Sequence, residues 1–417
     1  MEYALKERIG NPDLFTGRKK ELAYYLKWIN DIKEEKSQSS ALLARRKMGK
    51  TALLERLFNI TFYKNDGVIP FYYEIKENKM WVGDFCIDFF ITFVFQYIAF
   101  KTRNKQYLRP TDTNNFEKIK SITRREGFED LTDLVESVEY AFTHGHLDLL
   151  WNTVREAPKT IAGRKNEFIV QMIDEFQFLN AMIYRDKNLD KFQNDLAGGY
   201  LSTAENKIAP LLVSGSWVGW LMNLLQMMLP GRLKYKYLGN MSEDEAAEIV
   251  FNYSRLFEVP VTDEIVFYMI HILEGNPFYL TSLIRSVCKD KNLTNIEGLT
   301  RVLEYETLDD NGVIKITWIE YLTNVFNRVD KRDAKRIVLF LYKHSGREFT
   351  RKDLLDGLKL DMSDKELEEK MEALVKADII NQGSTKFKYR FADENIFAKV
   401  FSSVYKEEIE YFDATIR

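Results

Sequence analysis

Gly49-Lys50-Thr51 has the residue types and order needed to bind a polyphosphate. It closes the stretch Ala44-Arg45-Arg46-Lys47-Met48-Gly49-Lys50-Thr51, which follows a short apolar run and leads into the helical pattern Ala52–Phe58. A strand, a tight loop and a helix in that order are the setting in which GxxxxGK[ST] cradles phosphate. Backbone N–H groups of the loop and helix start point at the anion, and the helix dipole adds roughly half a positive charge. Lys50 can then reach the β- and γ-phosphates of a nucleotide, and the Thr51 hydroxyl can hold Mg²⁺. Ala44 stands where the pattern has its first glycine; if the position needs a positive φ, alanine costs about 1 kcal/mol there.

Phosphoryl transfer to water also needs a metal ligand and a base. The apolar run Glu167–Ile173 ends in Asp174-Glu175. Asp174 at a strand tip can reach Mg²⁺, and Glu175 can polarise the attacking water; the plainer alternative is a strand that stops at two solvated acids. A further strand, Ala209–Gly215, closes in Ser214-Gly215-Ser216. A hydroxyl there either contacts the γ-phosphate or caps a helix, serine being a favoured N-cap.

Elements must hold these groups together. The pattern predicts a helix over 18–32, strands over 40–44, 67–75, 167–175, 209–216 and 235–238, and a long apolar helix over 81–100. Strands that alternate with helices and are apolar throughout argue for a parallel sheet covered on both faces. The long apolar helix has the length of a membrane span, but Asp84, Asp88 and Gln96 interrupt it, so a buried helix is expected and no membrane. Beyond Asn240 the pattern is helical, and beyond Val329 it runs helix, helix, helix and hairpin. A chain of 417 residues predicts two or three domains, and 45% hydrophobic content suffices for their cores. A net charge of −3 excludes a polycation, so nucleic-acid binding would need a local patch. Cys86 and Cys288 read as buried reduced thiols of a cytoplasmic protein. The four histidines lack ligand spacing.

Further segments resemble those of the archaeal-type P-loop ATPases of the STAND/AAA+-like group, related to the Orc/Cdc6-type ATPases. Phe15-Thr16-Gly17-Arg18-Lys19-Lys20-Glu21-Leu22 resembles their F-x-G-R-x-x-E-L box, and Ile173-Asp174-Glu175-Phe176-Gln177 their I-D-E-F-Q Walker B segment. Ser214-Gly215-Ser216 is similar to their sensor strand, Leu229-Pro230-Gly231-Arg232 to the G-R step before the lid, and Gly275-Asn276-Pro277-Phe278-Tyr279-Leu280 to the start of a lid helix. The resemblance implies an α/β P-loop NTPase domain (1–239), with the Walker B and sensor strands beside the P-loop strand in a parallel five-stranded sheet. A helical lid (240–328) and a C-terminal winged helix (329–417) would follow. It further implies that backbone around Phe15, Gly17 and Arg18 holds adenine and that Pro277 closes over the nucleotide. Arg232 would read the γ-phosphate in its own subunit or across an oligomer. Two departures stand out: Ala44 itself, and the lack of an arginine directly after the sensor strand, which continues Trp217-Val218-Gly219-Trp220.

The expected function is an ATP/ADP- and Mg²⁺-binding, ATP-hydrolysing switch, with nucleotide state coupled to lid and winged-helix position and a protein partner or self-association as its output. The alternatives are a DNA-associated, initiator- or transposition-like ATPase and a nucleotide-locked scaffold. The expected recognition helix, 363–376, is more acidic than basic, so DNA is not favoured. The preceding helix, with Arg328, Lys331, Arg332, Lys335 and Arg336, is the basic candidate.

Overall fold

Short strands that are apolar on both faces cannot leave a face in water, so they stack into a sheet that helices cover. The computed structural model describes residues 3–108, 115–330 and 332–412. It divides into two compact units, Met1–Ser216 with Leu221–Gly239 and Trp217–Trp220 with Asn240–Arg417. Lys331 lies outside the described residues.

The first unit runs α1 (Lys19–Asn30), β1 (Ser40–Leu43), α2 (Lys50–Lys64), β2 (Val68–Glu74), β3 (Met80–Trp81), α3 (Val82–Thr102), α4 (Phe116–Arg125), α5 (Glu129–Thr143) and α6 (Leu147–Lys165). It continues through β4 (Phe168–Asp174), β5 (Ile183–Tyr184), α7 (Leu201–Ala204), β6 (Leu211–Gly215), α8 (Val218–Met228, its first residues grouped with the second unit) and β7 (Lys234–Tyr237). Five strands form a parallel sheet in the order β2-β4-β6-β1-β7. All of β1 and β6 is buried. Of the two strands expected beside β1, β6 takes the adjoining place and β4 lies one strand further out. All three strands still end on the same side because they are parallel.

The apolar helix α3 is, among the described residues, the one helix long and apolar enough to cross a membrane, yet 83% of its most apolar 18-residue stretch is buried inside the protein. Its interrupting polar groups have local work. The Tyr72 N–H donates to Gln96 Oε1 (2.8 Å) and Gln96 Nε2 donates back to the Tyr72 carbonyl (2.9 Å). That pair satisfies the peptide on the outer edge of β2, which no described strand covers. Asp88 accepts from the Tyr73 hydroxyl at 2.9 Å.

An N-terminal segment lies along α2, held by a polar stripe on that helix. Asn59 exchanges two hydrogen bonds with Leu5 (2.8 and 2.9 Å), Arg56 makes a forked pair with Glu7 (2.8 and 2.9 Å), and Glu55 Oε2 accepts from the Arg8 N–H (2.8 Å). Residues one turn apart on a helix share a face, which is how Glu55 and Asn59 come to line one docking strip.

The second unit comprises α9 (Glu243–Leu256), α10 (Asp263–Ile272), α11 (Pro277–Arg285), α12 (Ile296–Leu308) and α13 (Val313–Val329). It ends in α14 (Asp333–Lys343), β8 (Phe349–Thr350), α15 (Arg351–Leu358), α16 (Asp364–Lys376), β9 (Ile380–Gln382), β10 (Lys388–Phe391), α17 (Asn395–Val404) and α18 (Lys406–Tyr411). The last three strands form an antiparallel sheet, β8-β10-β9. Capping boxes open α15 (Thr350 with Asp353) and α16 (Ser363 with Glu366), each worth about 1 kcal/mol.

Several basic side chains are paired with acids. Lys101 meets Glu167 (2.6 Å), Lys120 meets Glu139 (2.9 Å) and Arg124 meets Glu136 (2.7 Å). In the second unit Lys335 meets Glu408 (2.5 Å) and Arg351 grips both oxygens of Asp364 (2.9 Å each). Both cysteines are free; Cys86 is buried as expected, but Cys288 is half-buried. Among the described residues no group of histidine, cysteine and acidic side chains is arranged to hold a metal ion.

Candidate functional site

The phosphate loop leaves β1 at Leu43 and enters α2 at Lys50. Gly49, the N-cap of α2, has φ +83°, a left-handed conformation that favours glycine. Lys47 is left-handed too, at φ +65°. Ala44 is not among the residues of positive φ. The strain that an alanine at the first glycine position would bring therefore does not arise; the loop places it on Lys47. Arg46 pairs with Glu77 at 2.7 Å, Arg45 and Lys47 are exposed, and Met48 is buried.

Lys50 is only 4% exposed and Asp174 is fully buried. Lys50 Nζ donates to Asp174 Oδ1 (2.6 Å) and to Glu175 Oε1 (2.7 Å). Asp174 Oδ2 accepts from the Thr51 hydroxyl at 2.7 Å, and Oδ1 accepts from the Ser214 hydroxyl. Burial pushes the Asp174 carboxyl up, but the Lys50 charge and the bonds from Lys50, Ser214 and Thr51 outweigh it and hold it below the usual range. Burial likewise works to lower the Lys50 pKa, and the two carboxylates overcome it, so the ammonium is kept charged. Glu175 has a left-handed backbone (φ +54°) just past the strand end. Its Oε2 accepts from the Ser216 N–H (3.2 Å), the Ser216 hydroxyl (2.9 Å) and the Gln177 amide.

The tips of β1, β4 and β6 thus bring Lys50, Thr51, Asp174, Glu175, Ser214 and Ser216 into one hydrogen-bonded cluster. Ala52 follows in the first turn of α2. The pairing of a hydroxyl with a carboxylate is an oxygen donor set of the hard kind that suits Mg²⁺. Left-handed Lys47 and Gly49, followed by the start of a fifteen-residue helix, suit a polyphosphate.

Other expected residues have different surroundings. Arg18, itself left-handed and 3% exposed, sends Nη2 to the Met48 carbonyl at 3.0 Å and so braces the phosphate loop. The Arg56 guanidinium lies 4.3 Å from the Phe15 ring centroid, and Gly17 precedes Arg18 with φ +74°. Arg232 is not brought to this cluster. Its Nε pairs with Glu205 (2.9 Å) and Nη1 donates to the Pro230 carbonyl (2.8 Å). Lys234 is in register with Ser40, the first residue of β1. Arg232 therefore sits toward the strands' N-terminal ends, opposite the phosphate loop. Pro277 belongs to the second unit, where it starts α11 beneath Asn276, whose side chain accepts from Phe278 N (3.0 Å) and Tyr279 N (3.3 Å). Gln177, which holds Glu175, and Arg18 as a brace are roles that the residues alone did not disclose, although both lie inside segments whose pattern was recognisable.

No protein-family profile matches the chain, and no curated protein does. Solved structures do. The Walker-type ATPase PABY2304 of Pyrococcus abyssi is 15% identical, with 95% of this chain and 97% of that chain covered and a TM-score of 0.56. The Aeropyrum pernix ORC2 protein, solved as ADPNP–ADP complexes, is 12% identical, with 98% and 99% covered and a TM-score of 0.50. At these identities the likeness is one of architecture, and it extends over nearly the whole chain. The strand order, the phosphate loop at the tip of β1 and these two neighbours show that this chain has a P-loop α/β fold similar to that of the two solved structures.

Proposed function

We propose that this protein binds ATP with Mg²⁺ and hydrolyses it as a STAND/AAA+-like molecular switch. The reading is carried by one observation: Lys50 lies within hydrogen-bond reach of both Asp174 and Glu175, with Thr51 on the second oxygen of Asp174. Mg²⁺, held by the Thr51 hydroxyl and the Asp174 carboxylate, would neutralise charge between the β- and γ-phosphates. Lys50 exchanges its carboxylate partners for phosphate oxygens and stabilises the charge that builds on them. Glu175 orients the attacking water and takes its proton. The backbone N–H groups of Lys47–Thr51 cradle the phosphates, with Ser214 and Ser216 sensing the γ-phosphate. Backbone around Phe15–Arg18 holds the adenine.

Nucleotide state is read out by the helical segment 240–328 and the segment 329–417. The order α14, β8, α15, α16, β9, β10 supports a winged helix in the latter. Its output is a protein partner or self-association. Pro277 closes over the nucleotide, and Arg232 reads the γ-phosphate of a neighbouring subunit.

Replacing Glu175→Gln should preserve ATP affinity and slow turnover about 10²–10⁴-fold; an unchanged rate removes Glu175 from the role of base. Lys50→Ala should abolish binding in a calorimetric titration. Equal affinity in that variant would refute the site.

A further inference from the structure

The parallel sheet of the first unit has two outer strands, and they are finished differently. On β2 the outward peptide of Tyr72 is taken up by the Gln96 amide. On β7 no described strand or side chain does the same. The Lys234 N–H donates to the Ser39 carbonyl (2.9 Å) and the Leu238 N–H to the Leu43 carbonyl (2.8 Å). In a ladder of period two, Lys234 and Lys236 therefore turn their peptide groups toward β1, and Tyr235 and Tyr237 turn theirs outward. The N–H and C=O of both tyrosines stand in a row that no described strand meets.

Side chains along β7 alternate between the two faces of the sheet. Lys236 lies on the α1 face, its Nζ 5.0 Å from the Tyr24 ring centroid, and Lys234 shares that face. Tyr237 lies on the α8 face, its hydroxyl 3.2 Å from Met222 Sδ, and Tyr235 shares that one. The rings of Tyr235 and Tyr237 belong to residues 37% and 57% exposed. Neither lysine has an acidic partner among the described residues. The open row of peptide groups is thus flanked by positive charge on one side and by aromatic surface on the other.

We propose that the outer edge of β7 docks an extended peptide of a protein partner, which adds a strand to the sheet and carries acidic side chains at alternate positions. Main-chain hydrogen bonds to Tyr235 and Tyr237 supply affinity whatever the peptide's side chains are, and the alternate side chains supply selectivity. Carboxylates on the α1 face meet Lys234 and Lys236. Apolar side chains on the α8 face meet the two tyrosine rings, and aromatic–aliphatic pairs across neighbouring strands are favourable. No residue of β7 belongs to the Lys50–Asp174–Glu175 cluster, so the inference stands apart from the nucleotide chemistry.

The probe is a short synthetic peptide of alternating glutamate and valine, added to the full chain, with a lysine–valine peptide of equal length as its control. Saturating acidic peptide should slow amide exchange at Tyr235 and Tyr237 about tenfold or more. Fluorescence anisotropy should show it binding at least about tenfold more tightly than the control, a margin that shrinks in high salt. Lys234→Glu combined with Lys236→Glu should reverse the preference. Tyr235→Pro removes one outward N–H and leaves the bonds to β1 whole, because an edge strand tolerates proline. It should weaken the acidic peptide about tenfold or more, and Tyr235→Ala, which keeps that N–H, should weaken it less. If Tyr235→Pro fails to fold, a peptide methylated on alternate backbone nitrogens tests the same bonds and should not bind. Unchanged exchange at both tyrosines, or equal affinity of the methylated peptide, overturns the proposal. Exchange that slows with protein concentration alone would give the edge to a second copy, and protection by single-stranded DNA would give it to nucleic acid; either result overturns it as well.

Discussion

Ala44 shows how a residue that departs from a motif can be harmless. Since its backbone is not left-handed, glycine there gains no relief and only adds freedom to the unfolded chain. Ala44→Gly should therefore lower stability by about 0.5–1 kcal/mol in urea unfolding and leave ATP affinity unchanged. Glu55 makes a second residue-scale case. Burial, helped by the nearby Glu7 and Asp174, pushes its carboxyl up to about 7 from 4.5, against the N–H and charge of Arg8. The folded protein then holds more protons at Glu55 than the unfolded chain between these values, so the contribution of this group to stability is fully present below pH 4.5 and is lost as pH rises through 7. Glu55→Gln should flatten that decline, and at pH 8 should be the more stable form by about 2–3 kcal/mol. A parallel pH profile for both proteins would exclude Glu55 as the cause.

At the scale of elements, Gln96 offers the cleanest test. Gln96→Leu keeps the helix and its bulk but leaves the N–H and C=O of Tyr72 without their partner on the edge of β2, which should cost about 1–3 kcal/mol. The same side chain illustrates what was legible beforehand. Asp84, Asp88 and Gln96 were enough to argue α3 out of a membrane, but not to say that Gln96 finishes a strand 24 residues earlier. The phosphate loop, the Asp174-Glu175 strand tip and the serines of β6 were readable because each is a local pattern with a chemical purpose. The position of β6 between β1 and β4 was not, since strand order depends on which apolar surfaces meet, and β1, β2, β4 and β6 are all buried almost throughout. Arg18 bracing Met48, and Trp217 in the core of the second unit, were hidden for a similar reason: pairings across 30 or 100 residues leave no periodicity.

For the molecule as a whole, the location of Arg232 toward the far ends of the strands makes assembly the decisive measurement. If that arginine reads the γ-phosphate of a neighbouring copy, the solution mass should rise to a multiple of the monomer with a non-hydrolysable ATP analogue and fall back with ADP. An unchanged mass would remove Arg232 from the mechanism. Duplex DNA should give no ATP-dependent shift even at low salt, because Arg351 and Lys335 are already engaged by Asp364 and Glu408. The sheet itself limits how copies can join. Its β2 margin is sealed by an amide, whereas β7 presents Lys234, Tyr235, Lys236 and Tyr237 along a margin that no described strand covers. In the registers that set lysine against lysine, two such margins repel each other, so the charge along β7 disfavours edge-to-edge pairing of copies there.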